Sequence, residues 1–464
     1  MNSIVAYPDS LQRSFLRSAQ ARHNRFQDFA DTLRWLQDLR ANCPSKVVRI
    51  PFADLEQWYF APDSGDLRHR SGKFFSITGL HCSPVARPAA AWEQPAIMQP
   101  EIGILGILTR VFEGTRYFLM QAKMEPGNVG LVQLSPTLQA TFSNYSQTHK
   151  GRLPPYTAYF LDPAARIIDS QLQSETGTRF FRKFNRNVML DVDEDVALLP
   201  GFRWLTLYEI QQLMAYADMV NMDTRSVLSN ICHAGAPGAE GATLFHHSAA
   251  SDPGAARHSL AELHQWLQRM RSLLAIDTRL VDLASVRDWV RDDWGMRHQR
   301  QNYFEIAAVR IEGTDREVAQ WCQPLLLHRG IGLSGFLCAE IDGVLHFLLQ
   351  AKPEPGIVDS VELGPTVSLF DYRRRAAPDV PYLDHFMDVP ETGLLHSSIQ
   401  SEEGGRFWAL RNHVCVVQLP HAEAIELHAN FAWMTLAQLR ALAQGESRVN
   451  SEARTLLACL PLFA

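Results

Sequence analysis

The sequence predicts an α+β fold written twice in tandem, each copy made of mostly antiparallel strands with flanking helices. Three observations predict it. Residues 92–137 align with residues 321–366 without a gap and share 21 identities in 46 positions, where unrelated chains of ordinary composition would share about three. Two apolar strand patterns flank Glu113-Gly114, and two more flank Asp342-Gly343, a strong two-residue hairpin signal. Helical periodicity opens each copy and capping signals close it.

In chain order, Phe26, Phe29, Leu33, Leu36 and Leu39 fall on one helical face, and Leu260, Leu263, Leu267, Met270 and Leu274 answer them. Arg68-His69 is answered by Arg297-His298. The hairpins over 104–123 and 333–352 follow. Gln173-Ser174-Glu175 then corresponds to Gln400-Ser401-Glu402, each followed by Arg-Phe at Arg179-Phe180 and Arg406-Phe407. Thr206 with Glu209, and Thr435 with Gln438, have capping-box spacing and predict helix starts. Val220-Asn221 with Arg225 recurs as Val449-Asn450 with Arg454. The copies span 1–233 and 258–464. Residues 234–257, rich in Ala, Gly, Ser and Pro, read as a linker. His246-His247 lies in it without another metal ligand at helical spacing.

The chain has 464 residues, 46% hydrophobic and 20% charged, and a net charge of −6. That balance suits a soluble globular protein and argues against a general nucleic-acid binder, which needs a basic face. Seven scattered cysteines without a CxxC pair indicate neither a disulfide framework nor a cysteine zinc site. The N-terminus lacks an apolar signal region and no stretch of about 18 apolar residues occurs. A cytoplasmic protein without a membrane span is expected. Gly330-Ile-Gly332-Leu-Ser-Gly335 matches GxGxxG but leads into a strand, so it is not a dinucleotide fingerprint. Gly65–Lys73 has the wrong spacing for a phosphate loop, and GxSxG and HExxH are missing from the sequence.

The phrase FLMQAKMEPGN at 118–128 returns as FLLQAKPEPGI at 347–357. Alternate strand residues share a face, so Gln121, Lys123 and Glu125 form one polar stripe, and Gln350, Lys352 and Glu354 another. Pro-Gly then turns the chain. A lone QxKxE describes a solvated face with a Lys–Glu pair of little worth. Here apolar strands flank the stripe, and Asn128, Asn144, Tyr145 and His149 follow it in the first copy. The second copy has Ile357, Asp371, Tyr372 and Arg373-Arg374-Arg375 instead.

At QAKMEPGNVGLVQLSPTLQATFSNYSQTHKG (121–151), QAKPEPGIVDSVELGPTV (350–367) and QSEEGGRFW (400–408) the chain resembles the NDP-hexose 2,3-dehydratase family of deoxysugar biosynthesis, over nearly its whole length. The resemblance implies two tandem Nudix-like domains without the Nudix metal-binding box, action on a dTDP-4-keto-6-deoxy-hexose, no metal or other cofactor, and a homodimer. The C4 ketone of such a substrate acidifies the C3 proton. A base removes it, donors steady the enolate, and an acid helps the C2 hydroxyl leave.

Glu125 or His149 is the candidate base. Lys123 or Tyr145 is the candidate enolate stabiliser or acid. Arg179, Arg406 or another Arg suits the diphosphate, and Trp92 or Trp321 could stack on base or sugar. Gln121, Asn128, Ser174, Glu175, Gln350, Lys352, Glu354, Ser401 and Glu402 complete the candidate binding set. The first copy is the expected catalytic one, with the second a vestigial or auxiliary nucleotide site. The competing readings are a non-catalytic sugar-nucleotide-binding protein and a Nudix-type diphosphate hydrolase. A vicinal diketone product would need a 3-ketoreductase partner.

Overall fold

The computed structural model describes residues 7–145, 153–231, 243–300, 303–313, 320–328, 330–370, 380–387 and 389–461. The periodic segments form the helices Phe29–Ala41 and Leu260–Leu273. Phe26 lies ahead of the first helix, exposed and edge-on to Phe112 and Tyr117. The capping boxes at Thr206 and Thr435 start the helices Leu207–Met214 and Leu436–Ala443.

Two further helices, Asp9–Gln20 and Leu244–Ala249, precede the periodic ones. The second lies within the stretch expected as linker. From Thr243 onward that stretch is folded onto the second copy. Phe15 packs on Phe118 and Phe245 on Phe347, at 6.1 and 6.2 Å between ring centres. Ser18 and Ser248 hydroxyls accept hydrogen bonds from the N–H groups of Leu207 and Leu436. Sequence periodicity misses these helices because each offers the core only a short apolar face among Ser, Gln and His.

The hairpin strands are Gly103–Phe112 with Thr115–Met124, and Gly332–Ile341 with Val344–Pro353. Glu113 and Gly114 have φ of 51° and 82°, and Asp342 and Gly343 have 50° and 80°. Positive φ at both central residues is the geometry that matches strand twist. Gly335, last glycine of the rejected GxGxxG, lies mid-strand, where an added Cβ would sit 2.2 Å from the Phe386 ring.

Each copy holds a seven-stranded sheet around its hairpin. A parallel neighbour, Phe184–Asp191 or Arg411–Gln418, makes the sheet mixed. Each copy also carries a six-stranded outer sheet, and here the copies exchange strands. Lys46–Ile50 leaves the first copy and pairs antiparallel with Glu305–Glu312 of the second, Lys46 opposite Glu312 and Ile50 opposite Ala308. Ile276–Val281 reciprocates on Ser76–Pro84, Ile276 opposite Pro84 and Val281 opposite Gly79.

The outer sheets share one apolar core. Ile77, Ile97 and Phe180 pack there with Ile306, Leu326 and Phe407. Phe180 and Phe407 meet edge to face with ring centres 5.8 Å apart. A second shared core runs through both seven-stranded sheets and joins the helices Met222–Leu228 and Ser451–Cys459. The structure is thus α+β, with two related halves fused through common cores.

Candidate functional site

The stripe sits where the hairpin strand ends. Thr115–Met124 pairs with Val132–Ser135, placing Gln133 opposite Lys123. In the second copy Lys352 lies opposite Glu362. Phe118 and Met120 enter the shared core, while Leu119 packs on the other face with Trp204. Both strand faces are therefore apolar until the last turn of the strand, which carries the polar side chains into a half-buried setting.

The Pro-Gly turns explain the repetition of the phrase. Gly127 N–H donates to Gly404 O at 2.7 Å, and Ala409 N–H donates to Gly127 O at 2.7 Å. Reciprocally, Gly356 N–H donates to Gly177 O at 2.8 Å and Arg182 N–H to Gly356 O at 2.7 Å. Each turn thus docks backbone to backbone into the QSE loop of the other copy. A Cβ at Gly127 or Gly356 would lie 1.7 Å from the carbonyl oxygen of Phe407 or Phe180.

Arg225 and Arg454, both fully buried, hold those loops from the far side. The Arg225 guanidinium donates to Val220 O, Gln400 Oε1 and Ser401 O. That of Arg454 donates to Val449 O, Gln173 Oε1 and Ser174 O. Each stripe therefore faces a loop from the opposite copy, giving two composite clusters.

The clusters differ in how fully they are satisfied. In the second-copy cluster Glu354 Oε2 accepts from Gly177 N–H at 2.8 Å, and Oε1 accepts from Asn450 Nδ2 at 3.0 Å. Lys352 Nζ lies 3.1 Å from Glu354, also pairs with Glu452, and donates to Ser368 Oγ at 3.0 Å. Burial opposes the Lys352 charge, yet the Glu452 and Glu354 carboxylates hold its pKa above the usual lysine range. Ser174 Oγ donates to Glu362 at 2.7 and 2.8 Å, and burial pushes that carboxyl up to about 7.

In the first-copy cluster Glu125 Oε1 accepts from Gln139 Nε2 at 2.7 Å and lies 3.5 Å from Lys123 Nζ. Glu125 Oε2 is buried and, among the described residues, has no hydrogen-bond partner. Gln139 and Asp223 stand where the second copy has Ser368 and Glu452, and Gln133 stands where it has Glu362. Burial, with the Glu403, Glu125 and Glu175 carboxylates, raises the Asp223 pKa well above the ordinary value.

The other predicted residues are distributed as follows. Gln121 and Gln350 open the stripes, half-buried. Asn128 is 4% exposed, its Nδ2 donating to Leu131 O at 3.3 Å within the docked turn. Asn128 also packs on Gly404, as its equivalent Ile357 packs on Gly177. Ser401 Oγ donates to Gln133 Oε1 at 2.9 Å. Glu175 and Glu402 accept from Asn185 and Asn412. Arg406 donates through Nε and Nη2 to Gln99 Oε1, at 3.2 and 2.9 Å, and lies over the Phe75 ring. Arg179 is held between Phe304 and Phe370 at 4.4 and 4.0 Å, and burial lowers its pKa to about 10.

Trp92 and Trp321 lie on the outer sheets and donate to Gln94 and Gln323, both at 2.9 Å. Those glutamines in turn donate to Thr178 O and Gly405 O, so the tryptophans brace the QSE loops from behind. Tyr145 donates to Ile102 O at 3.1 Å. His149, with 371–379, lies outside the described residues. Asp223, Glu403, Gln139 and Glu452 were not singled out from sequence. Their only signal was position: near the repeated Val-Asn, in SEEGG, or after the stripe. Among the described residues no group of three or more His, Cys, Asp and Glu is disposed to hold a metal ion, and no helix is long and apolar enough to cross a membrane.

A family model described as NDP-hexose 2,3-dehydratase matches residues 29–231 and again 260–460. Three relatives carry the name dTDP-4-dehydro-6-deoxy-alpha-D-glucopyranose 2,3-dehydratase. That of Amycolatopsis orientalis is 41% identical, covering 93% of this chain and 89% of its own. Those of Saccharopolyspora spinosa and Streptomyces violaceoruber are 39% and 38% identical, covering 97% and 94% of this chain and 94% and 98% of their own.

Proposed function

The chain belongs to the NDP-hexose 2,3-dehydratase family, and on that premise we propose that it removes water across C2 and C3 of dTDP-4-keto-6-deoxy-D-glucose in the cluster built on the first-copy stripe. It is a hydro-lyase. The base takes the C3 proton, and the C–H electron pair becomes the C3=C4 enolate. The enolate then re-forms the C4 ketone, shifts the double bond to C2=C3 and expels the C2 hydroxyl, which leaves as water after protonation. The resulting enol tautomerises to the 3,4-diketo-2,6-dideoxy sugar nucleotide.

Glu125 is our base and Lys123 the cation nearest the developing enolate. One observation carries the assignment. Glu125 has a buried oxygen without a donor, whereas both oxygens of Glu354 are already occupied. An unsatisfied buried carboxylate oxygen costs about 1–3 kcal/mol, so it is retained where a ligand or a proton completes it. Tyr145 and His149 remain proposed members of the same site, and Arg179 and Arg406 remain the proposed diphosphate grips.

The test compares Glu125→Gln with Glu354→Gln. The first should lower kcat by about 10²-fold or more, with dTDP affinity preserved, and the second should lower it far less. Full turnover by the first variant with a dead second variant would move the chemistry to the second copy.

The same reading takes each half as a Nudix-like fold without the glutamate-rich metal box, and the seven-stranded mixed sheet with helices beside it in each copy supports this. It also takes the enzyme as a homodimer coupled to a 3-ketoreductase, since a vicinal diketone beside a leaving diphosphate is short-lived.

A further inference from the structure

The elimination needs an acid at the C2 hydroxyl; with Lys123 placed at the enolate, the first copy's candidate is Tyr145, whose hydroxyl donates to Ile102 O. Glu403 belongs to the second copy, in the SEEGG loop that the first-copy turn docks into. It is half-buried. An added Cβ at Gly405 would stand 2.7 Å from Glu403 Oε1 and 3.7 Å from Glu125 Oε1. Both carboxylates therefore approach the same space beside Gly405, which its lack of a side chain keeps open. Glu125 is 4% exposed and its unpartnered Oε2 belongs to this same cluster.

The equivalent of Glu403 in the other loop is Thr176, whose hydroxyl is bonded to Ser451 at 2.8 Å. Among the described residues, the loop docked on the first-copy turn therefore carries two acids, Glu402 and Glu403, where the other loop carries Glu175 and Thr176. Resting on the dehydratase reading above, we propose that Glu403 is the general acid of the reaction, giving its proton to the departing C2 hydroxyl while Glu125 takes the proton from C3.

The balance closes without any other reactant. Glu125 gains the C3 proton, the C2–O bond breaks with its electron pair on oxygen, and the Glu403 proton completes water. The charge set around Glu403 favours the acid form. Burial raises its pKa to about 7, opposed by Arg406, assisted by Glu175 and Glu125, and opposed again by Lys183. Asp223, across the cluster, adds to the same carboxylate crowding.

The experiment uses the full chain and dTDP-4-keto-6-deoxy-D-glucose in D₂O, following deuterium at C3 of recovered substrate and loss of water by mass. Glu403→Gln should keep C3 exchange while water loss falls about 10²-fold or more, because proton abstraction survives without an acid for the leaving group. Glu403→Thr, which copies Thr176, should behave alike and carries the test if Gln lowers the melting temperature. Water loss within about threefold of wild type in both variants overturns the proposal. So does joint loss of exchange and water loss in a folded variant, and so does unfolding of both variants, which would make Glu403 structural. Failure of the underlying reading looks different. Wild-type protein would then release no water, or Glu125→Gln would still exchange C3.

Discussion

Glu362 and Gln133 occupy the same place in the two copies, and each accepts a hydrogen bond from a serine of the opposite loop. The carboxyl carries a burial cost that the amide avoids. Burial raises the Glu362 pKa to about 7 in the folded chain, although Arg454 works against it. The folded state therefore binds this proton more tightly than the unfolded state. The stability it contributes is complete below the unfolded carboxylate pKa and is lost as pH rises through about 7. Glu362→Gln keeps the Ser174 partner and removes the charge. Its melting temperature relative to wild type should rise between about pH 5 and pH 8, measured by thermal denaturation at each pH. A constant difference across that range would show that Glu362 is not protonated in the fold. At this scale the sequence made the stripe legible, because alternation puts Gln, Lys and Glu on one face. It could not reveal that Glu125 and Glu354 end with opposite degrees of satisfaction, since Glu354 is completed by Asn450, about a hundred positions on, and by Gly177 of the other copy, whereas Glu125 accepts from the nearby Gln139.

Strand, hairpin and helix starts were readable because they depend on neighbours in sequence. Asp-Gly and Glu-Gly turns follow from positive φ, and Thr-x-x-Glu or Thr-x-x-Gln follows from unpaired N–H groups at a helix start. The Pro-Gly turn was read correctly as a turn and incompletely as an element. Its glycine admits no side chain because a backbone carbonyl of the other copy presses on it at both sites. Gly127→Ala and Gly356→Ala should each cost about 1–3 kcal/mol or more by overpacking, lowering the melting temperature in chemical and thermal unfolding. Gly127→Ala should also lower turnover, because it displaces the loop that carries Glu403. A neutral substitution at both positions would show that the docking is loose. The short helices Asp9–Gln20 and Leu244–Ala249 were missed for the complementary reason: tertiary burial of Phe15 and Phe245, more than local pattern, fixes them.

At the scale of the molecule the two copies are interlocked. Lys46–Ile50 and Ile276–Val281 each complete the other copy's sheet, and Phe180 meets Phe407 at the centre of a shared core. A half expressed alone would leave a strand without its ladder and an apolar face without its cover. Residues 1–242 and 243–464 produced separately should therefore aggregate or lack a cooperative unfolding transition, whereas co-expression should restore a single transition and dehydration. Independent, cooperative unfolding of either half would sink this view.

Internal identity, strand alternation, turn chemistry and caps are local or additive signals, and through them the sequence by itself determined the duplication, the α+β class, the polar stripes and the family. Only the tertiary structure decided that each stripe is completed by the loop of the other copy, that the two clusters are satisfied unequally, and that the tryptophans brace loops on the outer sheets. Those outcomes turn on backbone approaches and hydrogen bonds between segments far apart in the chain. No periodicity encodes such contacts, because they depend on which surfaces meet after both copies have buried their apolar faces.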